Sequence, residues 1–244
     1  MAPDTRKTRR HTFFVLSGFL ITTLLFKEKE TYNNINLRKF YARRILRIWP
    51  LYFLIMASSI FVFNQSDLLQ VPILSERAFN SLDATSITLI VLILPNLLLF
   101  PIPYAAQSWS IGIEEQFYLV QPYIVKLINN YNIQIIVLLL IVFSKEIVDN
   151  TFDDFDSKYY LQAKSQLVYF GSIAIGCIAA ILHIKQQTLI KIFIYNKYIQ
   201  ACAYLLFIIF LIVIYKEKKE NIVDFRFHAL IFAILILNVA TNPD

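Results

Sequence analysis

Lys39, Arg43, Arg44 and Arg47 crowd into one short stretch, just ahead of Trp49 and Pro50. On a helix turning about 100° per residue they fall within an arc of roughly 140°, with Tyr41, Ile45 and Ile48 opposite. Such a face has two uses. Beside a membrane span it anchors the chain on the cytoplasmic side. Where its side chains converge it binds an anion, and arginine does so through paired hydrogen bonds that lysine cannot reproduce. A second constellation occupies residues 107–121, where Ser110, Glu114, Tyr118 and Gln121 recur at steps of four, four and three and therefore share a helical face. Glu114 and Glu115 border an apolar run. Carboxylates there pair with cations, mark a polar pathway, or stay solvated near a helix N-terminus where negative charge is favoured.

The surrounding elements are those of a membrane protein. The 244 residues are 57% hydrophobic and 16% charged, with a mean hydropathy of +0.57, more apolar than an ordinary soluble domain. Net charge is +6 and the positive residues gather in the N-terminal third, which suits a face against anionic lipid. No nucleic-acid module is recognisable. Cys177 and Cys202 sit in separate apolar runs without C-x-x-C spacing or a histidine pair, so they read as small buried side chains, with no metal site.

Apolar runs at residues 12–26, 48–64, 86–100, 117–128, 133–143, 167–184, 200–215 and 222–240 make seven or eight candidate spans. The first is short, and its Ser17-Gly18 pair amid bulky residues suits close helix packing. So do Gly171, Ser172, Ala174, Gly176, Ala179 and Ala180 in the sixth. Residues 27–47 are polar and predominantly basic, and by the positive-inside rule cytoplasmic. Pro50 is expected near the first turn of the span that follows, with Trp49 and Tyr52 at headgroup level. Residues 65–85 read as a loop on the opposite side, residues 144–166 with their aspartates as a solvated loop, and residues 216–220 as a charged run. Pro95-Asn96, Pro101 and Pro103 break the middle of the chain, which makes that region a candidate lining for a site.

Three stretches together resemble a known family. Phe13-Phe14-Val15-Leu16-Ser17-Gly18-Phe19-Leu20-Ile21, then Ala42-Arg43-Arg44-Ile45-Leu46-Arg47-Ile48-Trp49-Pro50-Leu51-Tyr52, then Ser108-Trp109-Ser110-Ile111-Gly112-Ile113-Glu114-Glu115-Gln116-Phe117-Tyr118-Leu119-Val120-Gln121-Pro122 are similar to successive signatures of the acyltransferase-3 family of membrane O-acyltransferases. The resemblance implies an all-α polytopic bundle in the inner (plasma) membrane that moves an acyl group, commonly acetyl, from acyl-CoA to a hydroxyl of a cell-surface or exported glycan. It implies acyl-CoA as donor substrate with no bound cofactor, and membrane lipid and a glycan acceptor as partners. By the same resemblance Arg44 and Arg47 bind the donor phosphates with Arg43 assisting, Ser17 lines the acyl path, and Glu114 is the catalytic candidate, which organises a polar tunnel, orients a catalytic histidine or holds an arginine.

The chain also departs from the pattern. The family's first span, with its general-base histidine, and the C-terminal spans lie outside residues 1–244, which read as a single transmembrane acyltransferase-like domain. His11 stands where relatives carry an acidic residue, and the base role transfers neither to it nor to His183 or His228. Two readings follow: an O-acyltransferase, or a non-catalytic membrane protein or inactive fragment that keeps the donor-binding motifs.

Overall fold

The computed structural model describes residues 5–63, 83–98, 102, 104–151, 158–185, 198–202, 204–206, 208–209 and 225–241, and every regular element among them is helical. The helices are α1 (Thr5–Tyr32), α2 (Leu37–Ser58), α3 (Ala84–Val91), α4 (Trp109–Leu127), α5 (Tyr131–Val142), α6 (Ser144–Thr151), α7 (Lys158–Lys185) and α8 (Phe225–Thr241). Several expectations lie outside the described residues: residues 65–82 of the first loop, Pro101, Pro103, the aspartates at 153, 154 and 156, most of the apolar run 200–215, and the charged run 216–220. The chain forms two compact units, one of residues 1–33, 121–153 and 165–244, the other of residues 34–120 and 154–164.

In the first unit α1 and α7 approach so closely that only glycine fits at the contact. A Cβ on Gly18 would lie 2.0 Å from the Ile173 carbonyl oxygen, and one on Gly176 would lie 2.0 Å from that of Val15. The small residues of both runs thus serve the packing their spacing predicts. Phe14, Val15, Leu25, Phe26, Ile173, Ala174 and Ile181 fill the core. Polar clasps hold the rest. Gln121 Nε2 donates to Thr22 Oγ1 at 2.9 Å, and Lys29 Nζ donates to the Val125 carbonyl and to Asn129 Oδ1, closing the last turn of α4. Lys185 pairs with Glu30 at 2.8 Å, and Arg226 with Glu146 at 2.8 Å.

In the second unit α2 passes straight through Pro50, instead of starting afresh there, and ends in a π turn at Ser59–Phe63. Asn36 caps it by accepting from the Lys39 N–H. Its buried side recurs at steps of four: Phe40, Arg44, Ile48, Tyr52 and Met56, with Arg44 and Ile48 half-buried. Tyr52 and Met56 pack with Ile90, Ile93, Leu98, Ile102 and Ala105, and the Tyr52 hydroxyl donates to the Ile90 carbonyl at 3.0 Å.

Beyond α3 the chain breaks. Ile93 adopts φ 57°, a conformation that costs a β-branched residue about 1–3 kcal/mol, and a 3-10 turn at Pro95–Leu97 follows. The carbonyls released by that break find a partner in Gln162, whose Nε2 donates to the Asn96 and Leu98 oxygens. Gln116 donates to Asn96 Oδ1 at 3.2 Å, and Gly112 leaves the room this asparagine needs, since a Cβ there would sit 2.2 Å from Oδ1.

Among the described residues two helices are long and apolar enough to cross a membrane, Leu37–Val62 and Tyr160–Lys185. A third crossing results if Tyr131–Val142 and Ser144–Thr151, bent by 52°, form one broken span. The seven or eight expected spans are not reproduced at this length, for local reasons. Charged residues flank the apolar stretch of α1 on both sides, α3 stops at Val91, α5 bends at Phe143, and the apolar part of α8, Arg226–Ala240, is shorter.

Candidate functional site

Arg44 is the residue at which the second unit turns charge inward. Four steps after Phe40 and eight before Tyr52 it belongs to the buried stripe of α2, whereas Arg43 and Arg47, one turn apart on a neighbouring face, are exposed. The arc drawn from the sequence is therefore divided. On the opposite face Tyr41 and Ile48 are half-buried and Ile45 is exposed.

The partner surface comes from α4. The Arg44 guanidinium lies 3.6 Å from the centroid of the Tyr118 ring and 5.7 Å from that of Phe40. Its Nη1 stands 4.0 Å from Glu115 Oε1, close enough for ion pairing and too long for a hydrogen bond. Glu115 and Tyr118 are three residues apart and so present one face of α4 to this side chain. Both members of the ion pair are largely buried, with side chains 22% and 18% exposed. Close by, the Tyr41 hydroxyl donates to the Leu119 carbonyl at 2.9 Å, a second tie between α2 and α4.

Glu115 stands just ahead of the apolar run 117–128. Burial pushes its carboxyl above the ordinary carboxylate range, against the opposing pull of the Arg44 guanidinium and of the neighbouring Trp49 indole. The indole N–H faces the carboxyl without reaching hydrogen-bond geometry, so Trp49 Nε1 and Glu115 Oε1 are both buried and both lack a hydrogen-bond partner. Trp49 thus has its polar edge inside the unit.

Glu114, the carboxylate singled out from the sequence, is half-buried on the same helix, and Ser110 Oγ donates back to the Gln107 carbonyl at 3.0 Å. Arg44 meets Glu115 instead. Helical steps of three from Tyr118 would have pointed to that residue, and the apolar stripe of α2 interrupted once by arginine would have separated Arg44 from its neighbours. Ser17 is half-buried on α1 and belongs to the other unit.

The first unit holds the histidines. His11 is buried, its Nδ1 2.8 Å from Ser172 Oγ and its ring stacked 5.1 Å from Tyr169 and 6.3 Å from His228. His183 is half-buried with its ring 5.9 Å from that of Phe19. No group of three or more histidine, cysteine, aspartate or glutamate side chains able to hold a metal occurs among the described residues. Cys177 is buried against the Gly18 carbonyl, and Cys202 is exposed, contrary to the burial expected of both.

The three signature stretches fall on α1, α2 and α4, and comparison with known proteins bears on the same residues. O-acetyltransferase OatA of Staphylococcus aureus, matched in several strains, is 26% identical over 246 aligned positions that cover 96% of this chain and 40% of the relative. An uncharacterised protein of Haemophilus influenzae is 34% identical over 128 residues, 46% of each chain. The chain thus spans less than half the length of these curated relatives. No solved structure matches it at comparable significance. The family model described as an acyltransferase domain matches residues 7–242, and with nearly the whole chain inside that match, this protein belongs to the acyltransferase-3 family.

Proposed function

We propose that this chain is a multi-pass inner-membrane O-acyltransferase, which transfers an acyl group, in the simplest case acetyl, from acyl-CoA to a hydroxyl of a cell-surface or exported glycan. Its further apolar runs cross the bilayer with α2 and α7, giving seven or eight spans. The observation that carries the reading is the placement of Arg44. A guanidinium held on an aromatic ring and beside one carboxylate, inside the second family signature, is oriented to take a phosphate oxygen pair without the entropic cost of ordering a free side chain. Family membership and the likeness to O-acetyltransferase OatA support the reaction class.

In this reading Arg44 contacts the donor phosphates, Arg43 and Arg47 supply a surrounding positive field, Glu114 organises the catalytic centre, and Ser17 lines the acyl path. The acceptor oxygen attacks the thioester carbonyl, loses its proton, and the tetrahedral adduct collapses with release of the CoA thiolate, which is protonated.

Titration of the detergent-purified chain with acetyl-CoA by calorimetry tests it. Arg44→Ala should weaken binding at least about tenfold, as loss of a charge-assisted contact does, and Arg43→Ala should do less. Equal affinity in the parent, Arg44→Ala, Arg47→Ala and Arg43→Ala would overturn the donor site. Release of free CoA in the same sample reports turnover.

A further inference from the structure

Exposure divides the basic residues of α2 between two faces. Arg44 turns toward Tyr118 and Glu115 of α4, whereas Lys39, Arg43 and Arg47 are exposed. These three recur at steps of four and lie within an arc of about 80°. The same flank of the helix continues through Pro50, Leu51 and Leu54, all exposed, with Leu54 two turns and about 10 Å beyond Arg47 along the axis. Charge comes first on this flank, and hydrocarbon follows. Among the described residues it is also the less covered of the two candidate spans, for 17% of its apolar window is buried inside the protein against 56% for Tyr160–Lys185.

The chemistry of this flank separates its candidate occupants. A soluble anion compensates the cations but leaves the leucines in water. An apolar helix, from a second copy of the chain or elsewhere, covers the leucines but leaves the cations without counter-charge. A phospholipid with a net negative headgroup does both, in the order in which the helix presents them, because its phosphate lies at the membrane surface and its chains run inward. Arginine and lysine reach that level with their methylene stems on apolar surface. We propose that Lys39, Arg43 and Arg47 form a binding stripe for the headgroup of an anionic phospholipid, whose acyl chains lie along Leu51 and Leu54.

The stripe goes beyond the acyl-transfer reading and does not depend on it, since Arg44 is left to the donor. Its consequence is positional. A headgroup held by Arg43 and Arg47 fixes the depth of α2 in the bilayer, and with it the level at which Arg44 stands.

A fluorophore on Leu46→Cys, where the parent leucine is 77% exposed, reports from the stripe in a background of Cys177→Ala and Cys202→Ala. The full chain is reconstituted in phosphatidylcholine vesicles carrying rising mole fractions of spin-labelled phosphatidylglycerol or spin-labelled phosphatidylcholine, either of which quenches the fluorophore on contact. Phosphatidylglycerol should reach half-quenching at the lower mole fraction. Arg43→Gln together with Arg47→Gln should raise that mole fraction at least about fivefold and leave the phosphatidylcholine curve unchanged. Lys27→Gln together with Lys126→Gln removes the same charge from the first unit and should leave both curves as in the parent. Equal shifts from the two double substitutions would overturn the stripe in favour of diffuse attraction to a chain of net charge +6. Equal quenching by the two lipids in the parent would overturn it as well, and so would no quenching by either, which means that protein covers the face. Calorimetry with acetyl-CoA keeps the two readings apart. Loss of lipid selectivity in Arg44→Ala would overturn the division of the arginines, whereas retained selectivity there with unchanged acetyl-CoA affinity supports the stripe and removes the donor site.

Discussion

At Arg44 and Glu115 the balance of burial against charge decides what substitution does. Two charges 4.0 Å apart attract by about 4 kcal/mol at an effective dielectric constant near 20, yet burial is the larger influence on the Glu115 carboxyl and lifts it above the ordinary range. A carboxyl raised in this way favours the folded state while protonated, so its contribution is fully present below the unfolded carboxylate range and is lost as pH rises through the raised value. Glu115→Gln carries the neutral form at every pH. It should therefore unfold at no lower a temperature than the parent at neutral pH, and its advantage should shrink as pH falls from the raised value to the ordinary carboxylate range. Thermal unfolding in detergent at a series of pH values measures this, and a lower midpoint at neutral pH would show that the attraction to Arg44 prevails. The same two residues show how far the sequence could be read. That residues 43–47 form a cationic face and residues 114–115 a pair of carboxylates beside an apolar run was legible from type and spacing, but that the two meet was not. Which arginine turns inward, and which carboxylate it meets, depends on the helix rotation that Tyr52 and Met56 impose by burial, and on the partner face supplied by α4.

Helices in this chain are positioned by what their small and polar residues permit, more than by amphipathic contrast. The contact of α1 with α7 is set by Gly18 and Gly176, each facing backbone of the other helix. Backbone cannot rotate out of the way as a flexible side chain can. Gly18→Ala should cost about 1–3 kcal/mol or more by overpacking, whereas Leu20→Ala on the exposed side of the same helix, where Leu20 is 51% exposed, should cost much less. Equal midpoints for Gly18→Ala and the parent in detergent would contradict the crossing geometry. This packing was visible in the sequence, because a small-residue pattern survives in any register. The length of the helices was not. Prolines interrupt both residues 48–64 and residues 86–100, but the first lies within a helix continuous from Leu37 through Pro50, whereas the second breaks as Pro95-Asn96 predicts, with Gln116 and Gln162 bonding Asn96 and the freed carbonyls. Those glutamines lie 20 and 66 residues away from Asn96, beyond the reach of any local window.

Across the whole molecule, exposure of large apolar side chains marks the surface that lipid must cover. On α2, Leu46, Leu51 and Leu54 are each more than half exposed, which water would penalise and hydrocarbon does not. In the proposed reading the basic residues ahead of this surface set its direction, since short loops rich in lysine and arginine stay on the cytoplasmic side. The connection between α1 and α2, with Asn34 exposed and the lysines and arginines of residues 27–47 on either side, is where the proposed orientation is tested. An acyltransferase that draws acyl-CoA from the cytoplasm needs Arg44 near this side of the membrane, so orientation and donor chemistry make one demand on the chain. In a background of Cys177→Ala and Cys202→Ala, Asn34→Cys should react with a membrane-impermeant maleimide in inverted vesicles and stay unlabelled in intact spheroplasts. The reverse pattern would place the arginine face away from the cytoplasmic pool of acyl-CoA, and the donor site would fail with it whatever the affinity of the purified chain.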